Sequence, residues 1–194
     1  MPKRIVFVQG SPRKNGNTRA ITAVAMSSAK ESGAEVNEID VSTLTFKEPG
    51  CVGCRKCQQS DAYLCALNDE VSQAVATLPE FDIIVLATPL FWWSFPAQLK
   101  IFIDRMYSLS KVSDPENYRS RLFDKAIALL ATSGGPYEGN LEQLESLWKI
   151  PATILRCKFH SCLFPNTPPE AGVLINDSSA LDKAKAFGQL LALN

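Results

Sequence analysis

The sequence predicts a doubly wound α/β domain: a five-stranded parallel sheet with helices on both faces, in three α/β/α layers. Two observations carry this. Several segments are short, continuous apolar runs of buried-strand type, and they alternate with segments whose apolar residues recur at helical spacing. The chain has 194 residues, enough for one full core and short for two. Residues 1–194 show no internal repeat, low-complexity tract or linker, so a single domain is expected.

Each element has its own signal. Arg4 to Gln9 is a β-branched run ending at Gly10. Thr18 to Ser32 places Ile21, Val24, Ala25 and Ala29 on one helical face and closes at Gly33. Val36 to Val41 reads as the second strand, and residues 42–66 are irregular. Asp69 to Leu78 suits a helix stopped by Pro79. Asp82 to Thr88, built on Ile83 to Ala87, is the strongest strand in the chain. Ala97 to Leu109 is helical, with Leu99, Phe102, Ile103 and Met106 on one face. Lys125 to Ala131 is a buried strand, Leu141 to Ile150 a helix, Thr153 to Phe159 the fifth strand and Ser179 to Leu193 the last helix.

Composition excludes several function classes. Twenty Lys and Arg balance twenty Asp and Glu, giving a net charge of zero. No basic stripe suggests nucleic acid and no polybasic helix suggests a membrane surface. The apolar segment ending at Val8 is too short for a signal-peptide core, and the longest apolar run, Ala126 to Ala131, is far below spanning length. A cytoplasmic protein is expected, whose six cysteines are thiols or metal ligands rather than disulfides.

In a doubly wound sheet the ligand sits beyond the carboxyl ends of the strands, where the strand order reverses. The loops after strands one, three and four are therefore the informative ones. The first is Gly10-Ser11-Pro12-Arg13-Lys14-Asn15-Gly16-Asn17-Thr18. Unpaired backbone N–H groups and the helix dipole would meet a phosphate there. Ser11, Asn17 and Thr18 add short donors and Arg13 a charged fork. The alternative is a polar loop in which Asn17 or Thr18 only caps the helix. The Gly-Lys-Ser/Thr ending of a P-loop and the three-glycine dinucleotide fingerprint are both missing, which disfavours ATP and Rossmann-type NAD binding.

The second loop, Thr88-Pro89-Leu90-Phe91-Trp92-Trp93-Ser94-Phe95-Pro96, sets four aromatic rings between prolines. Flat apolar rings pack well against an isoalloxazine, and proline fixes the backbone so that N–H groups meet its polar edge. Pro89, Leu90, Phe91 and Trp92 are the cofactor candidates. Trp93 and Phe95 are expected at a subunit interface or substrate pocket. The third loop, Thr132-Ser133-Gly134-Gly135, adds small donors, although by itself it reads as a plain turn.

These stretches, continued by Gln98-Leu99-Lys100-Ile101-Phe102-Ile103-Asp104-Arg105, resemble the NADPH-dependent FMN reductase and iron–sulfur flavoprotein family of the flavodoxin superfold. The resemblance spans nearly the whole chain and is least distinctive after His160. It implies strand order 2-1-3-4-5. It implies FMN, with its phosphate near Ser11, Arg13, Asn17 and Thr18 and its ring near Pro89 to Trp92. It also implies a homodimer or homotetramer in which a neighbouring subunit helps to close the site.

Cys51, Cys54, Cys57 and Cys65 are spaced C-x2-C-x2-C-x7-C. Four thiolates from one loop suit a four-iron cluster (4Fe-4S), since each iron takes one soft ligand. The run resembles the compact cysteine motif of iron–sulfur flavoproteins. Zinc would use the same ligands, and free loop thiols remain an alternative. Cys157 and Cys162 read as core or incidental, the single His160 as structural, and Asp104-Arg105 as a surface or subunit-contact ion pair.

The expected activity is flavin redox chemistry, in which the cofactor carries the reaction and the protein binds and orients it. No serine or cysteine nucleophile comes with a recognisable base, so no catalytic residue is assigned. One expectation is an oxidoreductase that takes hydride from NAD(P)H and reduces FMN, a quinone or another acceptor. The other is an electron-transfer protein between a ferredoxin-like donor and another acceptor, which a filled cluster would favour.

Overall fold

The computed structural model describes residues 1–193. Five parallel strands form the central sheet: β1 (Arg4–Gln9), β2 (Glu35–Asp40), β3 (Ile83–Pro89), β4 (Ala126–Thr132) and β5 (Lys158–Phe164). Their order is β2-β1-β3-β4-β5. The connecting helices are α1 (Asn17–Glu31), α2 (Glu70–Thr77), α3 (Ala97–Arg105) and α4 (Glu142–Ile154), and the chain continues after β5 into α5 (Ser178–Leu193).

Alternation along each strand divides the core between two faces. Ile5 and Phe7 of β1 lie with Ile21 and Ala25 of α1 and Ala184 and Phe187 of α5. Val6 and Val8 lie with Val75 of α2, Leu99 and Phe102 of α3 and Trp148 of α4. Burial on both faces explains why β1, β3 and β4 read as unbroken apolar runs. On the first face α5 presses directly on α1, because a Cβ at Gly188 would come within 2.2 Å of the Ala25 carbonyl oxygen.

The register sets the site. Gln9 pairs with Ala87 and Pro89 with Thr132, which in turn pairs with Phe164. The strands therefore end together, and the order reverses between β1 and β3. Gly10, Leu90 and Ser133 leave the sheet side by side at that edge.

Two regions differ from the sequence expectation by more than two residues. The fifth strand is Lys158–Phe164, not Thr153 to Phe159, because α4 continues through Pro151 as far as Ile154. Leu144, Trp148, Ala152 and Leu155 keep helical spacing across the proline and are all buried. Arg156, in the left-handed region at φ 56°, then turns the chain into β5. The third helix ends at Arg105, and the expected remainder, Met106–Leu109, is a 3-10 turn. Beyond it a two-residue antiparallel ladder pairs Ser110–Lys111 with Arg119–Ser120. Among the described residues no helix is long and apolar enough to cross a membrane.

Candidate functional site

The first loop leaves β1 with Gly10 donating to the Ala87 carbonyl at 2.7 Å. A Cβ at position 10 would stand 2.6 Å from Leu99 Cδ2, so glycine lets the loop lie directly on α3. The loop then closes through Gly16, whose N–H donates to the Arg13 carbonyl at 3.0 Å. Gly16 is also the N-cap of α1, and among the described residues no side-chain hydrogen bond caps that helix end. The first N–H groups of α1 thus face the loop without a side-chain acceptor, the arrangement that suits an anion.

Arg19, one turn into α1, was not singled out by sequence. It donates to the Ser11 carbonyl at 3.2 and 3.0 Å and to Asp40 at 2.6 Å. Burial raises the Asp40 carboxyl, but hydrogen bonds from Ser42 and Arg19 outweigh it and hold the group below its ordinary value. The pair fixes the loop to the end of β2.

The third loop is tied to the first through Thr18 and Thr132, whose Oγ1 atoms lie 2.8 Å apart in a buried contact. Ser133 donates from its backbone to the Phe164 carbonyl at 3.0 Å, and its Oγ donates to the Gly135 carbonyl at 2.8 Å. Thr167 reaches back to the Ser133 carbonyl at 2.7 Å. This brings in the loop after β5, which the sequence reading did not include. Its misplaced strand boundary hid the Thr167-Pro168-Pro169 run, a proline-rich signal directly beyond the true strand end.

Asn17 is placed at the cavity, but its side chain is committed to that loop. Its Nδ2 donates to the carbonyls of Pro168 and Glu170 at 2.9 and 2.8 Å, and its Oδ1 accepts from Leu174 at 3.1 Å. In this structure the Asn17 side chain straps the loop after β5 to the first loop. Arg13 spends one Nη1 contact on the Pro169 carbonyl at 3.0 Å and keeps its other guanidinium donors.

The second loop is pinned where Leu90 donates to the Thr132 carbonyl at 2.8 Å. Phe91 and Ser94 then exchange backbone hydrogen bonds at 3.0 and 2.9 Å across Trp92 and Trp93. Both tryptophans sit in the left-handed region, at φ 48° and 56°. That turn normally takes Asn-Gly, and each bulky residue there costs about 1–2 kcal/mol. Strain of this kind gathers at functional sites. Trp92 is 89% exposed, and its ring meets Trp93 edge-on at 5.3 Å. Phe95, half-buried, packs edge-on against Trp148 at 6.0 Å at the margin of the core.

These loops enclose one cavity of about 390 Å³. Ser11, Arg13, Gly16, Asn17 and Thr18 form one wall, Pro89, Leu90 and Phe91 a second, and Thr132, Ser133 and Gly134 a third; Thr167, Pro168 and Pro169 close it. An adjoining groove of about 250 Å³ shares Leu90, Ser133 and Gly134 and adds Trp92, Trp93, Gly135 and Asn140. Trp92 and Gly135 thus border the groove rather than the main cavity. A larger polar cavity of about 620 Å³ lies by the short ladder, away from the strand ends.

The cysteine loop follows β2. Cys51 and Cys54 are exposed, and Cys57 and Cys65 half-buried. Among the described residues no three His, Cys, Asp or Glu side chains stand together as a metal site. The sulfurs do not fit a four-ligand cluster in this arrangement. Arg105 is no surface ion pair: it is buried against Asp69, Nη2 to Oδ2 3.2 Å, while Asp104 pairs with Lys100 at 2.6 Å. Cys162 is buried in β5 and Cys157 half-buried just before it. His160 lies within β5 rather than at its end; burial and Lys158 lower its pKa, and its Nε2 is buried without a hydrogen-bond partner among the described residues.

A parallel sheet of order 2-1-3-4-5, with a cavity at its switch point, defines a flavodoxin-like protein. The chain belongs to the NADPH-dependent FMN reductase family, whose model matches residues 3–157, and this makes it a flavin oxidoreductase. It is 27% identical over 155 residues to an iron–sulfur flavoprotein of Methanocaldococcus jannaschii, covering 78% of this chain and 75% of that one. It is 30% identical over 152 residues to an iron–sulfur flavoprotein of Archaeoglobus fulgidus, covering 76% of this chain and 64% of the relative. The solved structure of an NAD(P)H:quinone oxidoreductase from Methanothermobacter marburgensis superimposes with a TM-score of 0.74 at 16% identity, covering 98% of this chain and all (100%) of that one, and so shares the fold.

Proposed function

We propose that the protein binds FMN in the switch-point cavity and uses it to oxidise NAD(P)H and reduce free FMN or a quinone. The observation that carries this reading is the uncapped N-terminus of α1 opening onto a cavity of about 390 Å³, a size suited to a cofactor. FMN supplies the hydride and electron chemistry that side chains lack. The residues bind and orient it. The α1 backbone amides, Ser11, Arg13 and Thr18 take the phosphate. Pro89, Leu90 and Phe91, with Thr132, Ser133 and Gly134, take the remainder, and Trp92 and Gly135 border the adjoining groove. Asn17 acts indirectly, by holding Pro168 and Glu170. No side chain is assigned a proton-transfer role.

One phosphate cradle without a dinucleotide fingerprint favours FMN over FAD. Chromatography of flavin released by denaturation, together with quinone-dependent NADPH oxidation, tests the reading. A stoichiometric yield of FAD would refute the cofactor, and holo-protein inert with both NADPH and NADH would refute the activity.

We propose further that the protein is cytoplasmic, its six cysteines standing as free thiols, and that it forms a homodimer or homotetramer, because Phe91, Trp92 and Trp93 expose contiguous aromatic surface. A second reading is an iron–sulfur flavoprotein that passes electrons from a ferredoxin-like donor. The C-x2-C-x2-C-x7-C spacing and the names of the relatives favour it, while among the described residues no three ligand-type side chains stand together. Anaerobic reconstitution with iron and sulfide separates the readings. About four irons per chain, lost in Cys54→Ser, support the cluster; background iron leaves the simple reductase.

A further inference from the structure

The loop of residues 45–68 has little regular structure, and its backbone takes the left-handed conformation five times. Gly50 (φ 94°) and Gly53 (φ 67°) do so freely and Asn68 (47°) at little cost, but Arg55 (56°) and Tyr63 (50°) do so against their side chains. Such a conformation persists only where the surroundings over-determine it. Within the chain itself, two cations supply that constraint.

Arg105, the last residue of α3, has a side chain with 0% exposure. Its Nε donates to the Gly50 carbonyl at 2.5 Å and its Nη2 to the Glu48 carbonyl at 2.7 Å. Its Nη1 donates to Cys65 Sγ at 3.4 Å and to Ser72 Oγ at 3.1 Å. One guanidinium therefore joins both ends of the cysteine run, and Asp69 neutralises it. Asp69 also accepts from the Lys47 backbone at 2.9 Å, so the same pair anchors the loop's entry.

The middle of the loop is held from the short ladder. Lys111 is 7% exposed. Its Nζ donates to the carbonyls of Cys57 and Ser60 and lies 4.4 Å from the centre of the Tyr63 ring. All three partners belong to the loop. Gln58 completes the seam, donating to the Ser110 carbonyl and accepting from the Val112 N–H, each at 2.9 Å.

We infer that the cysteine loop is folded by two buried cations, Arg105 at its base and Lys111 at its middle, so that its shape does not depend on any metal its thiols take up. Arg105 and Lys111 are positioning residues. They fix Cys65 inward and leave Cys51 and Cys54 presented to solvent on a pre-shaped loop. Loops whose metal supplies the folding energy behave in the opposite way and lose their shape when it is removed. The inference is independent of whether the flavin reading holds.

Trypsin tests it on the full-length, flavin-bearing protein, because Arg55 and Lys56 are exposed within the loop. Cleavage follows the population of the opened loop. Iron-free wild type and the variant Cys51→Ser/Cys54→Ser/Cys57→Ser should be cut after Arg55 and Lys56 within about twofold of protein reconstituted anaerobically with ferrous iron and sulfide. Lys111→Met and Arg105→Gln should be cut about ten- to a hundredfold faster, as expected for lost hydrogen bonds to a charged group. Arg105→Gln also disturbs the pair with Asp69; Lys111→Met, with retained flavin and cleavage confined to the loop, keeps the test specific. Iron-free wild type cut as fast as Lys111→Met would overturn the inference. So would variants of both cations cut no faster than wild type.

Discussion

Replacing Arg13 by alanine and Thr18 by valine should separate two ways of weakening the phosphate cradle. Arg13 lies at the exposed rim and spends one Nη1 contact on Pro169. Its loss removes one charge-assisted hydrogen bond to phosphate, about 1.5–3 kcal/mol, or roughly ten- to a hundredfold in Kd. Because the group is exposed, salt should diminish the effect, and the lower end of that range applies at physiological ionic strength. Thr18 is different: it is 3% exposed and its Oγ1 lies 2.8 Å from Thr132 Oγ1. Valine keeps the shape but leaves the buried Thr132 hydroxyl without that partner, costing about 1–3 kcal/mol of folding stability in addition to flavin affinity. The assay is quenching of flavin fluorescence during titration of the apoprotein at two salt concentrations, beside thermal denaturation of the apoprotein. Arg13→Ala should show a salt-sensitive loss of affinity at unchanged Tm, and Thr18→Val a loss of both. Kd values within twofold of wild type in both variants would place the phosphate elsewhere and refute the reasoning.

Three further outcomes follow from burial and charge. Burial pushes the Cys157 thiol up to about 11 and the Cys162 thiol to about 12, so native protein alkylated at mildly alkaline pH should be labelled at Cys51 and Cys54 and spared at these two; equal labelling of Cys162 would contradict its place in the core. Burial alone would raise Asp69, but hydrogen bonds from Ser72 and the Lys47 backbone, with the charge of Arg105, hold it at about 2 against an ordinary 3.8. A carboxyl depressed on folding stabilises fully above its unfolded value and loses that contribution as pH falls from about 4 toward 2, here roughly 2–2.5 kcal/mol; urea midpoints across that window should fall less in Asp69→Asn than in wild type, and identical acid limbs would show that Asp69 is not the group responsible. Light scattering at micromolar concentration should give a multiple of 21.3 kDa, and a mass near 21.3 kDa itself would leave the tryptophan hairpin without a second copy.

Much of the fold was legible because both faces of the sheet are buried. Ile83 to Ala87 and Ala126 to Ala131 read as strands without ambiguity, since neither face needs polar residues. The fifth strand was displaced for a physical reason. Pro151 looks like a helix stop, yet α4 continues past it, because Trp148, Ala152 and Leu155 remain buried on one face. That error concealed Thr167 to Pro169, and with them the wall that engages Asn17. An Asp-Arg pair late in a helix has the local pattern of a surface ion pair, and nothing nearby in the sequence marks Arg105 as buried. Its partners, Glu48, Gly50, Cys65 and Asp69, are 36 or more residues away, and only the tertiary fold brings them together. The three loops after β1, β3 and β4 were legible for the opposite reason: their residue types are local, and the topology of a doubly wound sheet sets their ends at one edge.

The central claim is that flavin held in the switch-point cavity takes electrons directly from a nicotinamide nucleotide. It is tested most directly by mixing holo-protein anaerobically with one equivalent of NADPH, or of NADH, and following the flavin's visible absorption. The account predicts that at least one nucleotide bleaches the band and that a quinone or free FMN then restores it. A flavin that stays oxidised with both nucleotides, yet is reduced by a reduced ferredoxin, would contradict the account.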